Sequence, residues 1–411
     1  MDIQRKDSLA AQLPIMGVVF AAFLVVGLAM PVLPLHVHHE LGLGTFIVGL
    51  VAGSQFATSI VSRPWAGRDA DGRGAKHAVI AGLFLAAAGG LFYLLSLPFA
   101  SAPEVSVTIL LLGRALLGAG ESFIITGAQA WGLALAGPQN TGKIIAWMGT
   151  ATSAAFALGA PAGASLYAGF GFTAIALATT LVPLACLLLV APLSGIAPTA
   201  RARPELGRIV AAVWLPGVGL ALSAAGIGAV MAFVPLLFAA RGWTVWPAFT
   251  VFTGAFIVAR LFFGPLPDRI GGSKVALICA LVEAAGLGLL WLAPGAAIAL
   301  AGAALAGFGY SLVYPALGVE AVRRAPAEGR GLAMGAYTAF LDVALAVASP
   351  ALGLIAAAAS LGTVFLISAL AALGAAVVAM RMLGISFNFR SKGPTGGTET
   401  QRIAALCQRA G

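Results

Sequence analysis

Charge is what this sequence has least of. Only 9% of its 411 residues are Asp, Glu, Lys or Arg, against roughly a quarter in an ordinary soluble domain. That scarcity excludes a water-soluble globule of this length. Cysteine is scarce too: Cys186 and Cys279 fall in apolar runs and Cys407 near the C-terminus, so neither a disulfide framework nor a cysteine metal site is expected. No G-x-x-x-x-G-K-[ST] stretch is present and no polar block is long enough for a soluble nucleotide domain, which argues against ATP-driven work. Of the four histidines, His36, His38 and His39 sit together in "PLHVHHELG". They read either as a metal site or proton sensor, or as a polar cap at a membrane interface. With no further ligand types nearby, the cap is favoured and no metal is expected.

What the sequence does have is apolar length. Hydrophobic residues make up 60% of the chain and the mean hydropathy is +1.01. Runs of about 20 apolar residues suffice to cross a hydrocarbon core of ~30 Å as helices, and backbone amides in lipid must bond internally, so helices they must be. Twelve spans are predicted, near 13–36, 46–66, 77–97, 106–132, 143–168, 172–193, 209–239, 246–266, 274–293, 296–320, 331–356 and 361–383. The first is too long for a signal-peptide core and is read as retained. The 53 glycines suit close packing of membrane helices.

Basic residues set the topology. With the N-terminus inside, 21 of the 23 Lys and Arg fall on the inner side or at the inner end of a span, only Arg241 falls on the outer side, and Arg114 lies well inside a span. This is the positive-inside pattern. It accounts for the net charge of +9 without a nucleic-acid partner; the expected surroundings are a lipid bilayer.

The densest charge lies in "SRPWAGRDADGRGAK", residues 62–76, and it has an echo. Arg63, Gly67, Asp71 and Gly74 recur as Arg260, Gly264, Asp268 and Gly271, all at an offset of 197. Gly118 and Ser122 recur as Gly307 and Ser311, and Pro161 as Pro350, at 189. The chain is therefore a duplication of six spans: an N-terminal half over 1–197, a linker over 198–208, a C-terminal half over 209–383 and an inner tail over 384–411. Two like-oriented six-helix halves are one plan of secondary transporters.

These residues carry a resemblance. Gly67, Asp71, Gly74 and Lys76 resemble the G-x-x-x-D-x-x-G-x-[RK] signature between helices 2 and 3 of the major facilitator superfamily, and Arg114 with Gly118 resembles its helix-4 signature. "LGAPAG" (158–163) resembles the helix-5 Gly-Pro motif of exporters, with Ala160 standing between glycine and proline. "LPLHVHHELG", "SRPWAGRDAD", "GESFIITGAQAWG" and "NTGKIIAWMG" are similar to a bacterial group labelled arabinose-efflux-like permeases. The resemblance implies an all-α integral membrane fold of twelve helices, acting as a monomer in the bacterial inner membrane. It implies that the loop made by Arg63, Gly67, Asp71, Gly74, Lys76 and its copy at Arg260, Gly264, Asp268 and Gly271 gates the inner face. It also places helices 4 and 11 beside a central cavity.

The residues alone permit two readings of that loop. Its basic side chains fix orientation; Asp71, by contrast, suits a contact with a helix N-terminus, Gly67 a close helix approach and Gly74 a tight turn. Charges within the bilayer are costly and mark function by default. Arg114 and Glu121 in span 4 are two turns apart on one face, and Asp342 lies mid-way along span 11. These three are the candidates for proton coupling, against the alternative of static polar contacts. Glu283 sits in a span that the resemblance makes peripheral, where it is expected to face lipid or a neighbouring helix, a bond within the second half being one way to satisfy it. Gln55, Gln129, Trp147, Phe233, Tyr310 and Tyr337 are candidates for a solute cavity, with ordinary core packing as the alternative. The function expected is secondary transport of a small organic solute with no cofactor, driven by the proton gradient and directed outward. Proton-coupled uptake is the alternative, and a lipid flippase or a membrane-embedded enzyme ranks below both.

Overall fold

The computed structural model describes residues 2–136, 141–195, 206–325 and 330–384. Among these, thirteen α-helices follow one another without a strand: α1 (Asp2–Ala29), α2 (Val32–Leu35), α3 (Thr45–Gly72), α4 (Ala75–Ser96), α5 (Pro103–Ala136), α6 (Thr141–Val190), α7 (Leu206–Ala240), α8 (Trp246–Phe263), α9 (Leu266–Ile270), α10 (Gly272–Leu292), α11 (Ala296–Arg324), α12 (Arg330–Ala358) and α13 (Leu361–Met382). A π-helical turn, His36–Glu40, continues α2. Most of the predicted linker and of the tail lies outside the described residues.

Eleven stretches are long and apolar enough to cross a membrane among the described residues. The twelfth crossing is hidden in α6. That 50-residue element is broken at Gly171, with φ 68° and ψ −170°, a conformation open to glycine and strained for other residues. The break falls between the predicted spans 143–168 and 172–193. The architecture is thus an all-α membrane fold of two six-helix halves.

Its surface is inverted relative to a soluble protein. Leu188 is 77% exposed and Phe262 75%, on faces that only lipid can cover, since contiguous apolar surface of this extent does not face water. Inside, small residues let helices touch along their backbones. Gly159 of α6 sits against Gly27 of α1, such that a Cβ on it would lie 2.9 Å from the Gly27 Cα. The two halves repeat one contact: a side chain at Gly118 would collide with the Gln55 carbonyl, and one at Gly307 with the Phe252 carbonyl. Gln55 and Phe252 are themselves 197 apart.

Three main seams join the halves: α2 meets α7, α3 meets α12, and α6 meets α8. The α3–α12 seam is the most detailed. Thr45 donates its hydroxyl to the Gly353 carbonyl at 2.9 Å, Gly49 rests on Ser349 and Pro350, and Gly53 on Ala346. It ends at Arg63 and Asp342, which form an ion pair. One turn further on, Gly67 faces open space. The helix approach expected at Gly67 does not occur; the glycines that serve it are Gly49 and Gly53, where the backbones touch.

Candidate functional site

Where the seams diverge they enclose a central cavity lined by both halves. Its charged lining residues are Arg63, Arg114, Glu121, Arg260 and Asp342, with Gln129, Ser153, Tyr310, Ser311 and Tyr314 among the polar ones and Phe23, Phe56, Phe252 and Phe256 among the apolar ones. Helices α3, α5, α6, α8, α11 and α12 supply the polar groups, each from a polar position on an otherwise apolar stripe, and α1 adds Phe23.

Several separate polar contacts ring the cavity. Arg63 of α3 pairs with Asp342 of α12, whose side chain is 5% exposed against 23% for the arginine. Gln55, buried behind the wall, donates its amide to Glu121 at 2.6 Å. Arg114 donates to the carbonyls of Val51 at 3.0 Å and Ala52 at 2.9 Å, so this buried guanidinium ties α5 to α3. Arg260 of α8 donates to the Ser311 carbonyl at 2.6 Å and to the Ser153 hydroxyl at 3.4 Å. Ser311 in turn donates to the Phe256 carbonyl at 2.8 Å. Tyr337 donates to the Tyr314 carbonyl at 2.8 Å. The result is a polar belt inside an apolar shell, with two carboxylates and three guanidinium groups lining one cavity. Such an arrangement can bind a small solute and can hold or release a proton at a carboxylate.

The profile of the Major Facilitator Superfamily matches residues 15–248 and 217–403. This chain belongs to that family. It is 44% identical over 366 residues to an uncharacterized MFS-type transporter of Salmonella typhimurium, covering 89% of this chain and 94% of that protein. It is 41% identical over 359 residues to the uncharacterized MFS-type transporter YhhS of Escherichia coli, covering 85% and 87%. Among solved structures it is similar to a mutant of the nucleoside transporter NupG, with a TM-score of 0.70 at 15% identity over 90% of this chain and 99% of that one. The human organic anion transporter MFSD10 gives 0.62 at 16% identity, over 90% and 99%. Likenesses at that identity show the MFS fold. The chain is accordingly a secondary transporter of many membrane spans, not an enzyme, and the family works without a cofactor.

Several predicted residues fall elsewhere than expected. Arg63 and Arg260 are not loop residues: α3 and α8 run on past them, and both side chains line the cavity. The predicted spans 46–66 and 246–266 already reached both positions, but the repeated loop motif that each arginine opens assigned them to the gate rather than to the cavity wall. Lys76 bonds within its own half, donating to the carbonyls of Ala191 at 2.8 Å and Leu193 at 2.7 Å, where the end of α6 leaves carbonyls unmet. Gly74 and Gly271 make the turns, with φ 102° and 97°. Gly264 closes α8 against its own Arg260 carbonyl. Asp71 and Asp268 are exposed.

Of the solute candidates, Gln129 and Tyr310 line the cavity. Phe233 is fully buried in the core of α7 and does not reach it. Tyr337 stands one layer back, behind Tyr314, and Trp147 is half-buried off the lining. Helical spacing alone does not distinguish a lining face from the core face beside it. Glu283 is buried and accepts a hydrogen bond from Ser223 of α7 within the second half. His36 stacks on Phe172 with centroids 4.0 Å apart and lies 2.7 Å from Glu40, which Tyr167 bonds in turn. No three His, Cys, Asp or Glu converge on a metal position among the described residues.

Ser153 and Asp69 were missed. Asp69 holds the loop beside it, 3.3 Å from Arg73 and 2.8 Å from His77. Ser153 had a usable signal: it is Asp342 less the repeat offset of 189.

Proposed function

We propose that this MFS protein exports a small organic solute across the bacterial inner membrane in exchange for protons. The observation that carries the reading is the ion pair between Arg63 and Asp342. It joins the two halves, it lies in the cavity, and Glu121 lines the same space. A proton arriving on Asp342 cancels the attraction for Arg63 and loosens the α3–α12 seam. The proton position thereby lies in the solute cavity and on the seam that must open, the arrangement that coupled alternating access requires. Glu121, held by Gln55, serves as the second proton position, and Arg114 fixes the helix that carries it.

In this reading residues 1–197 and 209–383 rock about the cavity, with 198–208 joining them and 384–411 as a tail. Both termini face the cytoplasm, because the basic residues cluster on that side. The cavity, sealed at the His36–Thr45 end, then faces inward, and the loop around Asp71 and its copy around Asp268 latches that inner mouth when it closes. One chain encloses the whole cavity, so a monomer suffices. Outward direction is supported by "LGAPAG", whose Gly159 and Gly163 seat α6 on α1.

The test is proton movement in proteoliposomes. Solutes that raise the melting temperature of the purified protein are applied against a proton gradient, with a pH dye inside. Solute on one side should drive protons the opposite way, and Asp342→Asn with Glu121→Gln should abolish that signal. Proton movement that survives both substitutions sinks the coupling assignment; movement in the same direction as the solute reassigns the protein to uptake.

A further inference from the structure

The duplication allows each cavity contact to be compared with its own copy. Arg63 and Arg260 are related by 197, and Ser153 and Asp342 by 189, the offsets that relate the glycines and prolines of the repeat. Each arginine crosses to the other half: Arg63 of α3 to Asp342 of α12, Arg260 of α8 to Ser153 of α6. The first crossing ends on a carboxylate. The second ends on a hydroxyl, at the long distance of 3.4 Å.

The second arginine therefore lacks a counter-charge. No Asp or Glu lies within 4.0 Å of it among the described residues. Its Nη1 is committed to the Ser311 carbonyl at 2.6 Å. The edge formed by Nε and Nη2 carries only the long contact to Ser153. That edge is a planar fork of two donors, the shape that meets a carboxylate or related oxyanion with two parallel bonds. A partly buried charge without a counter-charge is costly, and an anionic ligand relieves that cost. The Phe256 ring lies 5.9 Å from the guanidinium, and Phe252 and Tyr310 extend an apolar wall beside it.

We propose that Arg260, with the Ser153 hydroxyl as second donor, binds the oxyanion group of the transported solute, which is therefore an organic anion with an apolar body. This rests on the cavity being the solute site. Arg63 cannot play the same part while Asp342 occupies it, so the two copies have divided the work: one arginine for the seam, one for the cargo.

The test uses the purified full-length protein and matched pairs of small ligands at neutral pH: benzoate with benzamide, benzenesulfonate with benzenesulfonamide, and phenylphosphonate with its neutral diester. Binding is followed by thermal shift and by calorimetry. At least one anion should bind at least tenfold better than its neutral partner. Arg260→Gln should weaken that binding more than tenfold, and Arg260→Lys should restore part of it. Ser153→Asp should weaken it equally, because it gives Arg260 the carboxylate that Asp342 gives Arg63; that pairing already exists in the fold. Neutral partners binding as well as their anions, or anion binding left within twofold by both Arg260→Gln and Ser153→Asp, overturns the proposal. Failure of the proton-coupling reading is separate: it appears as solute flux without proton movement in vesicles, and this equilibrium assay needs no gradient.

Discussion

Substituting Asp342 with Asn removes one charge from the ion pair with Arg63, which spans the two halves. Two unit charges about 4 Å apart attract by roughly 4 kcal/mol at an effective dielectric near 20. Arg63 is 23% exposed and Asp342 5%, so water in the cavity screens the pair incompletely. Halving the figure leaves about 2 kcal/mol, or roughly a 30-fold change in an equilibrium. The contact exists in the present arrangement of the halves, with the α3–α12 seam closed from Thr45 to Asp342. Its loss should depopulate this arrangement by that factor relative to any in which Arg63 and Asp342 are apart.

Spin labels report this directly. Gly72→Cys and Ile270→Cys place labels on the two repeated loops, at exposed positions. The Gly72 site has open space for a side chain. In a background without native cysteines, Asp342→Asn should shift the inter-label distance populations toward the shorter class. Arg63→Gln should shift them the same way, and the double variant should add little to either, since both remove one interaction. Protonation mimics the asparagine. The carboxylate holds the pair when it is ionised, so the wild type should move toward the short class as pH falls, and Asp342→Asn should lose that response. Populations that stay within about threefold of the wild type in both single variants would refute the idea that this pair holds the halves.

Three further outcomes follow from packing. Gly118→Ala and Gly307→Ala each force a Cβ into a carbonyl of the neighbouring helix; each should cost about 1–3 kcal/mol, seen as a lower midpoint in detergent thermal unfolding, whereas Gly67→Ala, with open space around it, should be close to neutral. Glu283→Ala leaves Ser223 unmet in the bundle and should destabilise by about 1–3 kcal/mol while proton movement in vesicles persists; loss of coupling with full stability would make Glu283 a relay residue. His36→Ala deletes the stack on Phe172 and the Glu40 contact and should lower stability, and a chelator should change neither the wild type nor the variant.

How far the sequence carries the reader differs between fold and site. Spans were legible because lipid imposes one rule, a continuous apolar helix, and leaves few alternatives. Even the break in α6 showed, as the short gap around Gly169–Gly171 between two apolar runs. The site was legible where a charge sat alone in an apolar run, as with Arg114, Glu121 and Asp342. It was misread where charge sat near a predicted helix end. Arg63 and Arg260 looked like loop residues because their neighbours Arg68, Asp71 and Asp268 truly are polar; only the helix continuing to Gly72 turns Arg63 toward the cavity. Phe233 failed for the opposite reason. On a helix apolar all round, sequence spacing marks no face, and packing against neighbouring helices decides which ring is buried.

The duplication supplies the missing discrimination. Residues that must serve the shared scaffold stay alike in both copies: Gly118 and Gly307 each accept a neighbouring carbonyl, and Gly74 and Gly271 each take a positive φ. Residues that serve transport need not, because a solute without two-fold symmetry cannot contact both halves alike. The cavity is where the copies part. Gln55 and Glu121 form a polar pair in one half; at the same repeat offsets stand Phe252 and Tyr310, an aromatic wall. Asp342 answers to Ser153. The polar side chain that lines the cavity in both copies is the arginine at 63 and 260, and only the first of them meets a carboxylate in the other half. Exchanging that carboxylate between positions 153 and 342 therefore tests, in one molecule, whether charge placement alone assigns seam and cargo to their halves.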